Sequence, residues 1–166
     1  TFRVAALGRM ARGDEVGALD LVRELDELLR DRPGPRSWIL NGAARVCLAA
    51  DEAGLLRSLI DQGVEFLTRD QNSMASARAM LAEIEGDHER ASARYQDAAD
   101  RWEAFPAVLE HGLALMGAGR CLLALGRQNE GTERLRAARD RFGGLGAAPL
   151  IGEVDDLLAR ATSKTS

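Results

Sequence analysis

The chain has 166 residues, of which 46% are hydrophobic and 29% charged, and its formal net charge is −4. That is enough apolar material for one core or one stacked array, and too much for a disordered chain. No run approaches the eighteen or so apolar residues that a spanning helix needs, and scattered Arg with a single Lys, Lys164, gives no general attraction to nucleic acid.

Aromatic residues make up only 4% while Ala and Gly are abundant, which favours closely approaching helices over sheet. A first helix is predicted over 2–12. Thr1-Phe2-Arg3 has no initiator Met and no apolar leader, so the chain reads as a piece of a longer protein. A first helix that has lost its upstream neighbour is expected to be loose or to pair with a second copy as a homodimer.

Four turns follow: Gly13-Asp14, Ala50-Asp51, Gly86-Asp87 and Gly126-Arg127, at spacings of 37, 36 and 40 residues. Gly past a helix end closes it in the left-handed conformation, and Asp after it accepts from the next helix's free amides. Five residues after each turn a packing series begins. It reads Ala18, Val22, Leu25, Leu29; then Leu55, Leu59, Gln62, Phe66; then Ala91, Tyr95, Ala98, Trp102; then Gly131, Leu135, Ala138, Phe142. Steps of four, three and four put each set on one face of a helix. Gln62 and Gly63 interrupt the second series, so that helix is expected to end early. Seven residues before each turn stands a small residue (Ala6, Ala43, Ala79, Gly119), which lets the partner helix come close.

The breakers agree with these units. Pro33-Gly34-Pro35 separates the first pair of helices from the second, Phe105-Pro106 ends the third, and Gly143-Gly144-Leu145-Gly146 ends the fourth. Pro149 suits the first turn of a ninth helix running to Arg160, with Leu150, Val154, Leu157 and Leu158 as its stripe. The pattern leaves 64–72 unassigned. The fold class is all-α, with four antiparallel helix pairs and a ninth helix over 1–162 and a disordered tail at 163–166.

Self-similarity at this period marks a helical solenoid. Gly at the turn, Ala five later, an aromatic or Leu nine later and Ala twelve later resemble the tetratricopeptide repeat. The resemblance implies a right-handed superhelix whose first helices line the inner surface. The inward positions are then Leu7, Met10, Leu40, Ala44, Cys47, Ser76, Met80, Glu83, Met116, Arg120 and Leu123. Met adapts to a partner, and Arg120 could fork onto a carboxylate or phosphate; equally, Met80 and Met116 could fill the core and Arg120 pair with a neighbouring acid.

A second resemblance covers 111–158. It rests on His111-Gly112-Leu113-Ala114-Leu115, on Gly119-Arg120-Cys121-Leu122-Leu123-Ala124-Leu125-Gly126-Arg127, on Ala137-Ala138-Arg139-Asp140-Arg141-Phe142, on Leu145-Gly146-Ala147-Ala148-Pro149 and on Glu153-Val154-Asp155-Asp156-Leu157-Leu158. This stretch resembles the C-terminal helical region of bacterial LuxR-type ATPase regulators and of cyclase–ATPase fusion proteins. The resemblance implies a sensor or docking region of a larger signalling or transcription-regulatory protein.

Chemistry is harder to place. No phosphate-binding loop can be built around the single Lys, and no strand precedes the Gly143–146 run. His88 and His111 stand 23 residues apart with no ligand spacing, so neither a metal nor a cofactor is expected. Cys47 and Cys121 read as small buried hydrophobes of a reduced, cytoplasmic protein, and Asp155 with Asp156 as the solvated face of the last helix. The expectation is a non-enzymatic module that docks a protein segment or another domain of its parent, with no direct nucleic-acid or membrane contact. The alternative is a domain that senses a small-molecule effector.

Overall fold

The computed structural model describes residues 8–10 and 12–163, so most of the predicted helix 2–12, with Phe2, Ala6 and Leu7, lies outside them. Every regular element among the described residues is helical. Residues 8–10 are helical, and eight further helices follow. They are α1 (Glu15–Leu28), α2 (Pro33–Ala49), α3 (Ala53–Asp61), α4 (Thr68–Ile84), α5 (His88–Ala104), α6 (Val108–Ala124), α7 (Gln128–Leu145) and α8 (Ala148–Ser163). The chain divides into two compact units, 1–85 and 86–166. In the first, α2 is central and packs on α1, α3 and, most extensively, α4. In the second, α6 lies against α5 and α7, and α8 packs on α7 and α6.

Three of the four turns form as the sequence predicts. Gly13, Gly86 and Gly126 take φ of 77°, 77° and 76°. Asp14 Oδ1 accepts from the Gly17 amide and Asp87 Oδ1 from the Arg90 amide, each at 3.0 Å, which caps α1 and α5. The second turn sits one residue later than expected. Asp51, not Ala50, takes the left-handed conformation at φ 54°, and Glu52 caps α3 by accepting from the Leu55 amide at 3.4 Å. Asp tolerates that region better than Ala because its short polar side chain bonds locally.

The shift moves the first member of the packing series with it, but not the second. Leu56 is fully buried and Leu55 only partly, while Leu59 stays in the core as expected. Gln62 and Phe66, the third and fourth members of the predicted series, are exposed, because α3 ends at Asp61 and an irregular segment carries the chain to Leu67. Residues 64–72 thus divide between this segment and the start of α4.

The second unit follows the predicted series without a slip. Ala91, Tyr95, Ala98 and Trp102 on α5, and Gly131, Leu135, Ala138 and Phe142 on α7, are all buried. They close on α6, whose glycines leave room for them. A Cβ on Gly117 would come within 2.5 Å of Tyr95 Cε1, one on Gly112 within 2.6 Å of Phe142 Cε1, and one on Gly119 within 2.7 Å of Leu135 Cγ and 3.0 Å of the Gly131 carbonyl oxygen. Gly119 and Gly131 therefore face each other where α6 and α7 come closest, as the small residue at that repeat position requires.

Two predicted breakers lie inside helices. Pro33-Gly34-Pro35 forms the first turn of α2, where a missing amide hydrogen costs no helical bond. Gly143 and Gly144 continue α7, and only Gly146, at φ 64°, ends it. The last helix reaches Ser163, whose hydroxyl donates to the Arg160 carbonyl at 3.0 Å.

Candidate docking surface

The predicted inward residues divide into two groups. Leu40, Cys47, Ser76, Met80 and Met116 are buried, as is Ala44; Met10, Glu83, Arg120 and Leu123 are partly exposed. Leu123 packs against α7, where its Cδ2 would stand 2.8 Å from a Cβ on Gly131. On α2 the one-residue turn shift changes which side chains hold the repeat positions. Counted from Asp51, those positions belong to Asn41, Arg45 and Leu48, not to Leu40, Ala44 and Cys47. Asn41 is buried, with its Oδ1 lacking a hydrogen-bond partner.

Neither cysteine is disulfide-bonded, and both are buried. Burial, with the nearby Glu52 charge adding to it, pushes the Cys47 thiol up to about 12. The thiolate is therefore negligible at neutral pH and Cys47 is inert as a nucleophile. Among the described residues no group of three or more His, Cys, Asp or Glu could hold a metal ion, and no helix is long and apolar enough to cross a membrane.

The first unit contains a polar cluster that sequence reasoning missed. Arg36, on the first turns of α2, forms a buried ion pair with Asp26 of α1 and donates from Nη1 to Gln62 Oε1 at 3.0 Å. Gln62 Nε2 in turn donates to Ser58 Oγ at 2.8 Å. Beside it, Ser37 Oγ lies 2.8 Å from both Asp70 Oδ1 and the Gly34 carbonyl oxygen, and Asp70 Oδ2 accepts from the Leu67 amide at 3.1 Å. These bonds tie the irregular segment after α3 to the start of α2. The only signal in the sequence was the pairing of opposite charges at helix ends, which does not specify partners.

Next to this cluster lies a small cleft with about 10 Å³ of room, enough for about one water molecule. Arg36, Ser37, Ile39 and Leu40 of α2 form one wall, and Leu59 and Val64 face them. Five large apolar side chains described in the same unit stand in solvent: Val16 and Leu28 on α1, Trp38 on α2, and Phe66 and Leu67 in the segment before α4, with Trp38 66% and Phe66 77% exposed.

The second unit is more conventional in its charges. His111 is buried at the start of α6, and burial, reinforced by the Arg141 charge, holds its pKa below the usual 6.5 against the opposing pull of Glu103 and Asp100. Arg139 of α7 forks onto Asp155 of α8 at 2.7 and 3.3 Å, so Asp155 bridges two helices. The hydrogen bond from Arg139 holds that carboxyl below its usual range. Arg127 grips Glu130 the same way at 2.8 and 2.7 Å.

No family model matches the chain, and no curated protein matches it.

Proposed function

We propose that this chain is a non-catalytic docking module of a larger signalling or transcription-regulatory protein, and that it receives a segment of a partner or of another domain of its parent. The observation that carries this reading is the display of two aromatic side chains, Trp38 and Phe66, in solvent, with Val16, Leu28 and Leu67 also exposed on the same unit. Exposed aromatic side chains are common anchors of protein contacts. The reading also rests on the repeat pattern of the sequence, from which a right-handed superhelix is expected, and on the resemblance of 111–158 to regulator helical regions.

The two tryptophans supply a test. Trp102 is buried and Trp38 exposed, so a docked segment shifts Trp38 emission to the blue while Trp102 stays silent. A panel of segments from the parent protein is expected to give that shift, and Trp38→Ala to weaken binding by about tenfold. A shift or thermal stabilisation from small metabolites alone would instead favour the effector-sensing alternative. No response to either would leave a spacer role.

A further inference from the structure

Residues 62–70 join α3 to the first turn of α4, and polar bonds rather than apolar burial hold them to the first unit. Asp70 is buried, Gly63 and Val64 are half-buried, and the other six are exposed. A segment with so little buried apolar surface has little to keep it in place beyond its hydrogen bonds. Glu65 pairs with Arg78 farther along α4 at 2.6 Å, an exposed contact of the kind that contributes little.

The polar ties to α2 are the bond from Arg36 Nη1 to Gln62 Oε1 and the one from Ser37 Oγ to Asp70 Oδ1. Each end of these bonds has a further partner on its own side of the seam. Ser37 Oγ lies just as close to the Gly34 carbonyl oxygen, at 2.8 Å, and its single proton can turn there. Asp70 Oδ2 already holds the Leu67 amide. Gln62 Nε2 holds Ser58 Oγ of α3, and Arg36 Nη2 holds Asp26. Parting the seam therefore strands no donor or acceptor, because water reaches whatever is released. The closed seam does strand one, since Arg36 Nε–H is buried without an acceptor. The same seam is incompletely packed: between Arg36, Leu40, Leu59 and Val64 remains room for about one water molecule.

We propose that residues 62–70 are a strap that lifts from α2 as a local opening of the native state, uncovering Leu40 and Leu59. Its closing bonds are exchanged on opening, not lost, and Arg36 Nε–H gains water. Phe66 rides on the strap and Trp38 on α2, so opening alters the spacing of the two exposed aromatic side chains. The strap itself does not depend on the docking reading.

Thiol labelling of the full chain tests the opening. Leu40→Cys puts a thiol under the strap, and Cys47→Ala removes the other thiol of α2. Cys121, 1% exposed in the second unit, stays as the internal control. An aromatic disulfide reagent is expected to modify position 40 faster than Cys121, at a rate that changes little with urea below the unfolding midpoint, because a local opening exposes little surface. Ser37→Ala is expected to raise that rate about fivefold and to leave Cys121 unchanged. Should Leu40→Cys fail to fold, Leu59→Cys reports from the facing wall. Labelling no faster than at Cys121 and with the same urea dependence would overturn the proposal. So would a Ser37→Ala effect that is nil or that accelerates both thiols alike. Opening at position 40 while no segment moves Trp38 emission would leave the strap standing and sink the docking reading.

Discussion

Glycine does two opposite things on these helices, and substitution separates them. Gly119 has backbone in the way: a Cβ would stand 3.0 Å from the Gly131 carbonyl oxygen, and neither helix can yield without parting from the other. Gly119→Ala is expected to destabilise the second unit by about 1–3 kcal/mol through overpacking. Gly152, in mid-α8, has nothing within 4 Å of that position. Gly152→Ala should stabilise by about 0.5–1 kcal/mol, since only helix propensity changes. Urea denaturation read by circular dichroism distinguishes a fall in the first variant from a rise in the second. Cys47 and Cys121 give a second residue-level expectation. Both are buried, so an aromatic disulfide reagent should react with neither in the native protein and with both in urea; prompt labelling without denaturant would contradict the packing described here.

Helix ends test the turn register. Asp51 holds a left-handed conformation that glycine adopts without strain. Asp51→Gly is expected to raise stability by about 0.5–1 kcal/mol, whereas Asp87→Ala should lower it by about 1 kcal/mol through loss of the α5 cap. A loss at position 51 as large as that at 87 would show that Asp51 serves as a cap after all. This turn also shows what the sequence concealed. Ala50 and Asp51 are adjacent, neither is glycine, and nothing local decides which one closes the helix. A one-residue slip rotates the assigned face of α2 by about 100°. That rotation puts Leu40, Ala44 and Cys47 into the core and gives their repeat positions to Asn41, Arg45 and Leu48. The elements of the second unit were legible because glycine marks Gly86 and Gly126 without ambiguity, and because a small–large–small–aromatic series leaves one face to bury. The early end of α3 was legible in Gln62 and Gly63. The polar cluster beside it was not, since it depends on Asp26 reaching Arg36 and Asp70 reaching Ser37 from separate helices.

For the molecule as a whole, pH acts on stability through His111. The native state holds its pKa below 6.5 by burial beside Arg141, while the unfolded chain takes up the proton near the ordinary value. As pH falls below about 6.5 the unfolded state binds a proton that the native state refuses, so stability declines on the acid side and is fully present above it. The urea midpoint should drop between about pH 7 and pH 5, ahead of most carboxylate titration, and His111→Gln should flatten that drop. A wild-type midpoint that stays level over this interval would remove His111 from the account.

The glycines of α6 have a consequence for the order in which the second unit assembles. Gly112, Gly117 and Gly119 each cost roughly 1 kcal/mol of helix propensity relative to Ala, and they fall within one seventeen-residue segment. Alone in water that segment would be mostly coil, because nucleating a helix is already unfavourable and propagation here is weak. α5 and α7 carry no glycine at their tyrosine, leucine and aromatic knobs, and those knobs need α6 as their floor. The central helix therefore winds up only as Tyr95, Leu135 and Phe142 land on it, so secondary structure and side-chain docking become a single kinetic event. The unit should cross its folding barrier in one step, with α6 ordering at the same moment as its contacts.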